Sequence, residues 1–123
     1  MIDGIIPIYK EKGFTSFDVC AKVRGIIHQK KVGHTGTLDP QAQGVLPVCL
    51  GKGTKLCDLL ADHDKEYEAV LRLGITTDTQ DMEGTILKES LVQVSEEEVR
   101  TCILSFQGEQ QQVPPMYSAL KLN

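Results

Sequence analysis

Tryptophan is absent from the 123 residues, and Phe and Tyr contribute three each. A core built from this chain therefore rests on aliphatic side chains. No apolar run is long enough to cross a bilayer, so no membrane partner is expected. The opening stretch "MIDGIIPIYKEKG" has no basic segment followed by an apolar one, so it does not read as a secretory signal. The expectation is a cytoplasmic product translated from Met1. The four cysteines, Cys20, Cys49, Cys57 and Cys102, contain no C-x-x-C pair, and without a secretion signal they are expected to be reduced thiols. His28, His34 and His63 share no metal-ligand spacing with them, so no metal is expected. Internal repeats and low-complexity segments are also missing. The length suits one domain.

The charge that is present is unevenly placed. The total is −4, but residues 1–60 carry eight Lys/Arg against five acids, and residues 61–123 carry five against twelve. The first half is thus +3 and the second −7. A basic half suits a phosphate-bearing partner, and equally suits a solvated charged face.

Strand and helix patterns alternate along the chain. Residues 5–9 read as a short strand weakened by Pro7. Thr15 or Ser16 can cap a helix over 16–28, with Asp18 at the capping-box position and Val19, Val23, Ile26 and Ile27 as its apolar stripe. Residues 29–44, "QKKVGHTGTLDPQAQG", read as one long loop, and long loops in small domains tend to be functional. Residues 45–50 predict a buried strand, and 54–61 a helix with Leu56, Leu59 and Leu60 on one face. Tyr67, Ala69, Leu71 and Leu73 alternate with their neighbours and predict a half-buried strand. "TTDTQDMEG" is a turn-rich connector, with 85–88 as a hairpin partner. Ser95-Glu96-Glu97-Glu98 is a capping box opening a helix with the stripe Val99, Cys102, Ile103 and Phe106, ended by Gly108. "EQQQVPP" is extended or loop, and "MYSALKLN" begins a further element. The class is α+β, with a mixed or mostly antiparallel sheet flanked by helices.

The run over 33–51, "GHTGTLDPQAQGVLPVCLG", holds four glycines, two prolines and a single acid, Asp39. A nucleotide-binding reading fails. Gly44 and Gly51 lie seven positions apart where a phosphate-binding loop needs five, and Gly53 stands where its hydroxyl residue should be. The dinucleotide fingerprint fails too, since no two glycines of "GHTGTLDPQAQG" lie one residue apart. A thiol nucleophile at Cys49 is disfavoured by its apolar neighbours Val48 and Leu50. Asp39 remains. Asp before Pro is a turn former, yet an acid wedged between Leu38 and Pro40 has no basic residue nearby in sequence. A fixed, partly dry carboxylate answered by one chosen cation is also the setting of a catalytic acid. Pattern alone leaves both readings open.

Four segments in order resemble one family. "GHTGTLDPQAQGVLPVCLGKGTK" resembles the catalytic motif of the TruB family of pseudouridine synthases, bacterial type. "YKEKGFTSFDV" is similar to its Lys-Pro-x-Gly-x-Thr-Ser motif, "DKEYEAVLRLGITTDTQDMEG" to its Lys-x-Tyr strand and Thr-Asp-Thr-x-Asp turn, and "VPPMYSALK" to its Pro-x-Tyr-Ser-Ala-Lys segment. The form "GHTG" favours the bacterial tRNA enzymes over the guide-RNA-dependent relatives.

This resemblance implies the N-terminal part of the pseudouridine synthase fold. It implies isomerisation of uridine to pseudouridine in the T-loop of tRNA, at position 55, without metal or cofactor. The partner is the tRNA T-stem-loop. By motif, Asp39 is the essential aspartate, acting as nucleophile on the ribose or as base drawing a ribose proton. Tyr67 is the tyrosine that stacks on the flipped base, where the residues alone suit a core aromatic. His34 helps to recognise the opened loop, and Lys10 is a motif lysine at the site floor with a chiefly structural role. Lys30 and Lys31 are candidates for RNA phosphate contacts, or a solvated helix end.

The sequence departs from the family at Glu11, which replaces the motif proline. The family also continues well beyond "YSALK" with an arginine that pairs with the aspartate, an apolar residue on the base, and usually an RNA-binding tail domain. The expectation is therefore that 1–123 are the N-terminal portion of the catalytic domain, without turnover alone, and that an unfinished sheet edge invites self-association. The rival reading is a non-catalytic tRNA-binding or RNA-chaperone module keeping the fold.

Overall fold

The computed structural model describes residues 1–114, which form two units, Met1–Tyr67 and the part that follows from Glu68. The segment "VPPMYSALK", apart from Val113 and Pro114, lies outside the described residues, as does the element expected to start at "MYSALKLN".

The first unit is a three-stranded antiparallel sheet in the order β1-β3-β2, with β1 at Gly4–Lys10, β2 at Val32–His34 and β3 at Gly44–Leu50. Strand β2 falls inside the stretch expected to be loop. Its three residues are too few to show a period, and it exists because Val32, Gly33 and His34 pair with Leu50, Cys49 and Val48. Pro7 and Pro47 stand directly opposite each other in β1 and β3. The Pro47 carbonyl accepts from Thr35 N, 3.1 Å away, on the β2 side. The Pro7–Pro47 pair is therefore a non-hydrogen-bonded pair of the β1–β3 ladder, where neither missing N–H is needed.

Helix α1, Ser16–Ile27, covers one face of the sheet. Its start is the expected capping box: the Thr15 hydroxyl accepts from Asp18 N, and the Asp18 carboxylate accepts from Thr15 N. It ends at His28, whose backbone is left-handed (φ 51°), while the Arg24 side chain donates to the Lys30 and Val32 carbonyls and ties the exit to β2. Val19 and Cys20 pack with Val32, Leu46, Val48 and Leu50, and Ile8, Val23, Ile27 and Leu38 close the rim. Each fully buried aliphatic here contributes roughly 1.5–3 kcal/mol of transfer free energy. Ile26 belongs to the expected stripe but is exposed, because a helix on a sheet this narrow buries only a thin seam.

The helix expected over 54–61 divides. Residues Gly51–Leu56 form a 3-10 helix, and only Cys57–Ala61 is α-helical, here α2. Leu56 and Leu59 are exposed, so the expected apolar face is not buried. Gly51 and Gly53 explain the tight start. A Cβ on Gly51, whose φ is +55°, would meet the Ile2 carbonyl and the Asp3 carboxylate, and one on Gly53 would meet the Gly4 carbonyl. These glycines let the N-terminal residues pass, and Lys52 N donates to Asp3 Oδ1 at 2.7 Å.

In the second unit, β4 (Ile75–Thr77) and β5 (Ile86–Glu89) form a hairpin, with a register shift at Thr76/Thr77. Strand β5 stands at the place expected for 85–88, but its partner is β4, which runs into the stretch read as connector, and not the strand expected at 67–73. The connecting turn is held by Asp78 and Asp81, which accept from Thr85 N, Glu83 N and the Thr79 hydroxyl. Helix α3, Glu96–Leu104, is capped by Ser95, which accepts from Glu98 N. Its stripe is only partly covered: Val99 is half-buried, and Cys102, Ile103 and Phe106 are exposed. The strand expected from Tyr67 to Leu73 does not form. Among the described residues no strand pairs with this segment, and Tyr67, Leu71 and Leu73 are exposed. Alternation sets which face a strand would bury, but a strand also needs a hydrogen-bonded neighbour.

Candidate functional site

Residues 35–43 link β2 to β3, and their backbone is anchored from one end to the other. Thr35 is buried and donates to the Pro47 carbonyl. Ser16 in the first turn of α1 is also buried. Its hydroxyl accepts from Leu38 N at 3.1 Å and reaches the Leu38 carbonyl at 3.4 Å. Two residues on, the Pro40 carbonyl accepts from Gly13 N at 2.7 Å and from Lys10 Nζ at 3.3 Å. Asp39 lies between these two anchored residues, and its own carbonyl accepts from Ala42 N at 2.9 Å, closing a turn. The result is an exposed carboxylate on a backbone clamped on both sides.

Lys10 is the buried member of this arrangement, with 0% of its surface exposed. It ends β1, and its ammonium donates to the carbonyls of Glu11 (3.0 Å), Phe14 (2.7 Å) and Pro40. Three carbonyls satisfy three N–H groups, which is how a buried cation persists without a carboxylate. This geometry joins the "YKEKGFTS" segment to the Asp39 loop. Sequence reasoning named Lys10 but not Ser16 or Gly13 as partners of that loop. The contacts span 22 to 30 positions, and no local pattern carries them.

His34 ends β2 at the mouth of the loop and is half-buried. Its Nδ1 lies 2.5 Å from the Gly36 carbonyl. A carbonyl only accepts, so Nδ1 is the donor of this contact and Nε2 is left for a partner. Lys30 and Lys31 are exposed between α1 and β2, with backbones fixed through Arg24 and Gly51. Tyr67 is the last residue of the first unit and is 68% exposed. Among the described residues no hydrogen bond joins Tyr67 to the Asp39 loop.

The only ion pair among the described residues is Arg100–Glu96 on α3, at 3.4 Å, so no cation of that set lies within ion-pair distance of Asp39. Cys49 is fully buried in β3. Burial first, and then the neighbouring Cys57 and Cys20 thiols, push its thiol up to about 11. A thiol held protonated is a poor nucleophile, as expected for a core cysteine. Among the described residues no group of three or more His, Cys, Asp or Glu is placed to hold a metal ion. Chemically, the loop offers one positioned, water-accessible carboxylate, suited to attack at carbon or to abstraction of a proton.

Comparison with known proteins gives this loop its context. Residues 24–123 match the family described as TruB family pseudouridylate synthase, N-terminal domain. The tRNA pseudouridine synthase B of Lachnoclostridium phytofermentans is 63% identical over 122 residues, which are 99% of this chain and 40% of that protein. The enzymes of the same name from Clostridium perfringens strain 13 and Bacillus pumilus are 55% and 49% identical, over 99% of this chain and 42% and 40% of theirs. The chain thus spans about two fifths of the length of these curated relatives. Among solved structures, a chain of a Cbf5–Nop10–Gar1 complex matches with a TM-score of 0.63 at 29% identity, covering 96% of this chain and 31% of its own. A chain of an archaeal box H/ACA sRNP Nop10–Cbf5 complex matches with a TM-score of 0.59 at 27% identity, covering 98% of this chain and 34% of its own. The α+β arrangement is that of the N-terminal part of these proteins.

Proposed function

Because the chain belongs to the TruB family of pseudouridylate synthases, we propose that it is the Asp39-bearing, N-terminal portion of the catalytic domain of a tRNA pseudouridine synthase. The substrate is a uridine in the T-loop of tRNA. The base–ribose C–N bond breaks, the base turns, and a C–C bond replaces it.

One observation carries the reading. Asp39 is the single acid of its loop, and its neighbours on both sides are clamped by buried polar side chains, Ser16 through Leu38 and Lys10 through Pro40. A reaction at a sugar carbon needs its carboxylate held to within a fraction of an ångström, and a backbone fixed on both sides supplies that. Asp39 acts on the ribose as nucleophile or base. To present the bond, the nucleotide must leave its stack at a cost of a few kcal/mol. The Tyr67 ring, stacked on the extruded base, recovers about 1–3 kcal/mol of that. His34 holds the opened loop through Nε2, and Lys30 and Lys31 contact phosphates from the basic half.

Residues 1–123 alone bind tRNA weakly and do not turn it over, because no cation answers Asp39 among their described residues. Tritium release from C5-labelled tRNA by the purified 123-residue chain at a rate near that of a full-length relative overturns this. In a full-length enzyme Asp39→Ala abolishes product while tRNA binding in a salt titration is retained. If the substitution leaves turnover intact, the aspartate is not chemical. If a full-length enzyme binds tRNA and forms no product at all, the non-catalytic RNA-chaperone reading replaces this one. The chain also self-associates through the exposed apolar sheet face of Ile5, Tyr9 and Val45.

A further inference from the structure

Two of the three thiols of the first unit, Cys49 and Cys57, meet on one face of the sheet. Cys49 and Gly33 face each other across the β2–β3 ladder, so their side-chain positions share one face of the sheet. Cys57, the first residue of α2, lies over that same spot, with its sulfur 3.3 Å from where a Gly33 Cβ would be. Glycine at position 33 therefore leaves room for a sulfur directly beside Cys49. A Cβ at position 33 would stand about 4.5–5.5 Å from the Cys49 Cβ across the ladder, and the Cys57 sulfur lies against that place. A small shift of α2 brings the two sulfurs to bonding distance. Helix α2 is five residues long and buries none of them, so little packing resists the shift. The two sulfurs also differ in access, since Cys57 is half-exposed and Cys49 is buried.

We propose that Cys57 and Cys49 form a peroxide-reactive dithiol that closes to an intramolecular disulfide next to the strand carrying His34. The Cys57 thiolate attacks one oxygen of hydrogen peroxide. The O–O bond breaks, hydroxide leaves, and the sulfur becomes a sulfenic acid. The released hydroxide takes the Cys49 proton and becomes water. The Cys49 thiolate then attacks the Cys57 sulfur and expels a second hydroxide, which takes up the proton Cys57 gave up and departs as water. Overall the two thiols lose two electrons and two protons, and one peroxide becomes two waters. Cys57 goes first because it is the thiol the reagent can reach. Cys49, buried out of reach of the reagent, serves only as the resolving partner. Cys20 is buried on α1 and stays a thiol, as burial also raises it.

The test is differential alkylation of the native protein before and after hydrogen peroxide, read by peptide mass spectrometry. Trypsin separates the two cysteines into peptides 32–52 and 56–65. The expected product is these two peptides joined, lighter by two hydrogens and released by reductant, with Cys20 unmodified. In Cys57→Ser the joined peptide is lost and Cys49 stays alkylatable only after unfolding. In Cys49→Ala, Cys57 halts as a sulfenic acid trapped by a dimedone probe. Because Cys49 is a core residue, the Cys57→Ser variant keeps the test decisive if Cys49→Ala fails to fold. Cys57 oxidised to sulfinic acid without the joined peptide overturns the proposal. So does its pairing only with Cys102 of a second molecule, or its persistence as a free thiol while exposed Cys102 is oxidised. None of these readouts depends on tRNA, so they stand apart from the test of Asp39.

Discussion

Replacing Lys10 with methionine removes the ammonium beneath the Asp39 loop while keeping the length and apolar bulk of the stem. In the folded protein that ammonium makes three hydrogen bonds, and Lys10 has no exposed surface. Hydrogen bonds to a charged donor contribute about 1.5–3 kcal/mol each, against a desolvation penalty of several kcal/mol for the ion. Methionine abolishes both. The Pro40 carbonyl keeps Gly13 N as a donor, so the uncompensated acceptors are the carbonyls of Glu11 and Phe14. At roughly 1 kcal/mol or slightly more for each orphaned group, the net loss is about 2–3 kcal/mol. That is a large share of a typical total of about 5–15 kcal/mol. It lowers a urea midpoint by about 1–2 M for a small unit. Lys12→Met is the control, since Lys12 is exposed and makes no such bonds, and its effect stays within about 0.5 kcal/mol. Amide exchange at Gly13 adds a local reading, because that N–H rests on Pro40 and is freed as the loop loosens. If Lys10→Met and Lys12→Met share the wild-type midpoint, the clamp is not energetic and the reasoning fails.

Ser16→Ala leaves Leu38 N without its acceptor and costs about 1–2 kcal/mol in a urea melt. In a full-length enzyme it lowers pseudouridine formation by up to about 100-fold through misplacement of Asp39, and Ser16→Thr restores part of the rate. Unchanged turnover in Ser16→Ala disproves the positioning role. Asp18 is held below its ordinary 3.8, by Thr15 N first and then by the Thr15 hydroxyl. A depressed folded value means that its stabilisation is present above 3.8 and is lost as pH falls through the lower folded value. Acid titration of α1 helicity in Asp18→Asn should therefore lack the acid limb seen in the parent, and an identical limb rules out the cap as its origin. Light scattering of the concentrated chain should show species above monomer that shrink in Val45→Lys. A clean monomer at all concentrations removes the association proposal.

The parts of this chain that could be read directly are those whose causes are local. The Thr15–Asp18 box and the stripe through Val19 lie within one helix, and β1, β3 and β5 declare themselves as short runs between turns, whereas β4 lies partly hidden in the stretch read as connector. Strand β2 was hidden because Gly33 interrupts its pattern and only its pairing with Cys49 and its neighbours makes it a strand. Conversely, the alternation from Tyr67 to Leu73 is plain in the sequence, yet no described strand pairs with it. At the candidate site Asp39 stood out as the single acid of its loop. What fixes it did not, because Lys10 and Ser16 reach it through the backbone of Pro40 and Leu38, across turns that no spacing rule connects.

The facing prolines of β1 and β3 have a consequence for how another chain could dock edge-on. Strand β1 is one of the two outer strands, and with Pro7 in a non-hydrogen-bonded pair its nitrogen points away from β3, toward the sheet edge. The outward residues of β1 are then Ile5, Pro7 and Tyr9, and the middle one has no proton to give. An incoming strand meets donors only at Ile5 and Tyr9, four residues apart, and must leave its central carbonyl unpaired. In-register strand addition, the first step toward a cross-β stack, is thus interrupted at its midpoint. At the β1 edge, association is directed instead to side-chain contacts on the Ile5–Tyr9–Val45 face, which need no shared backbone ladder.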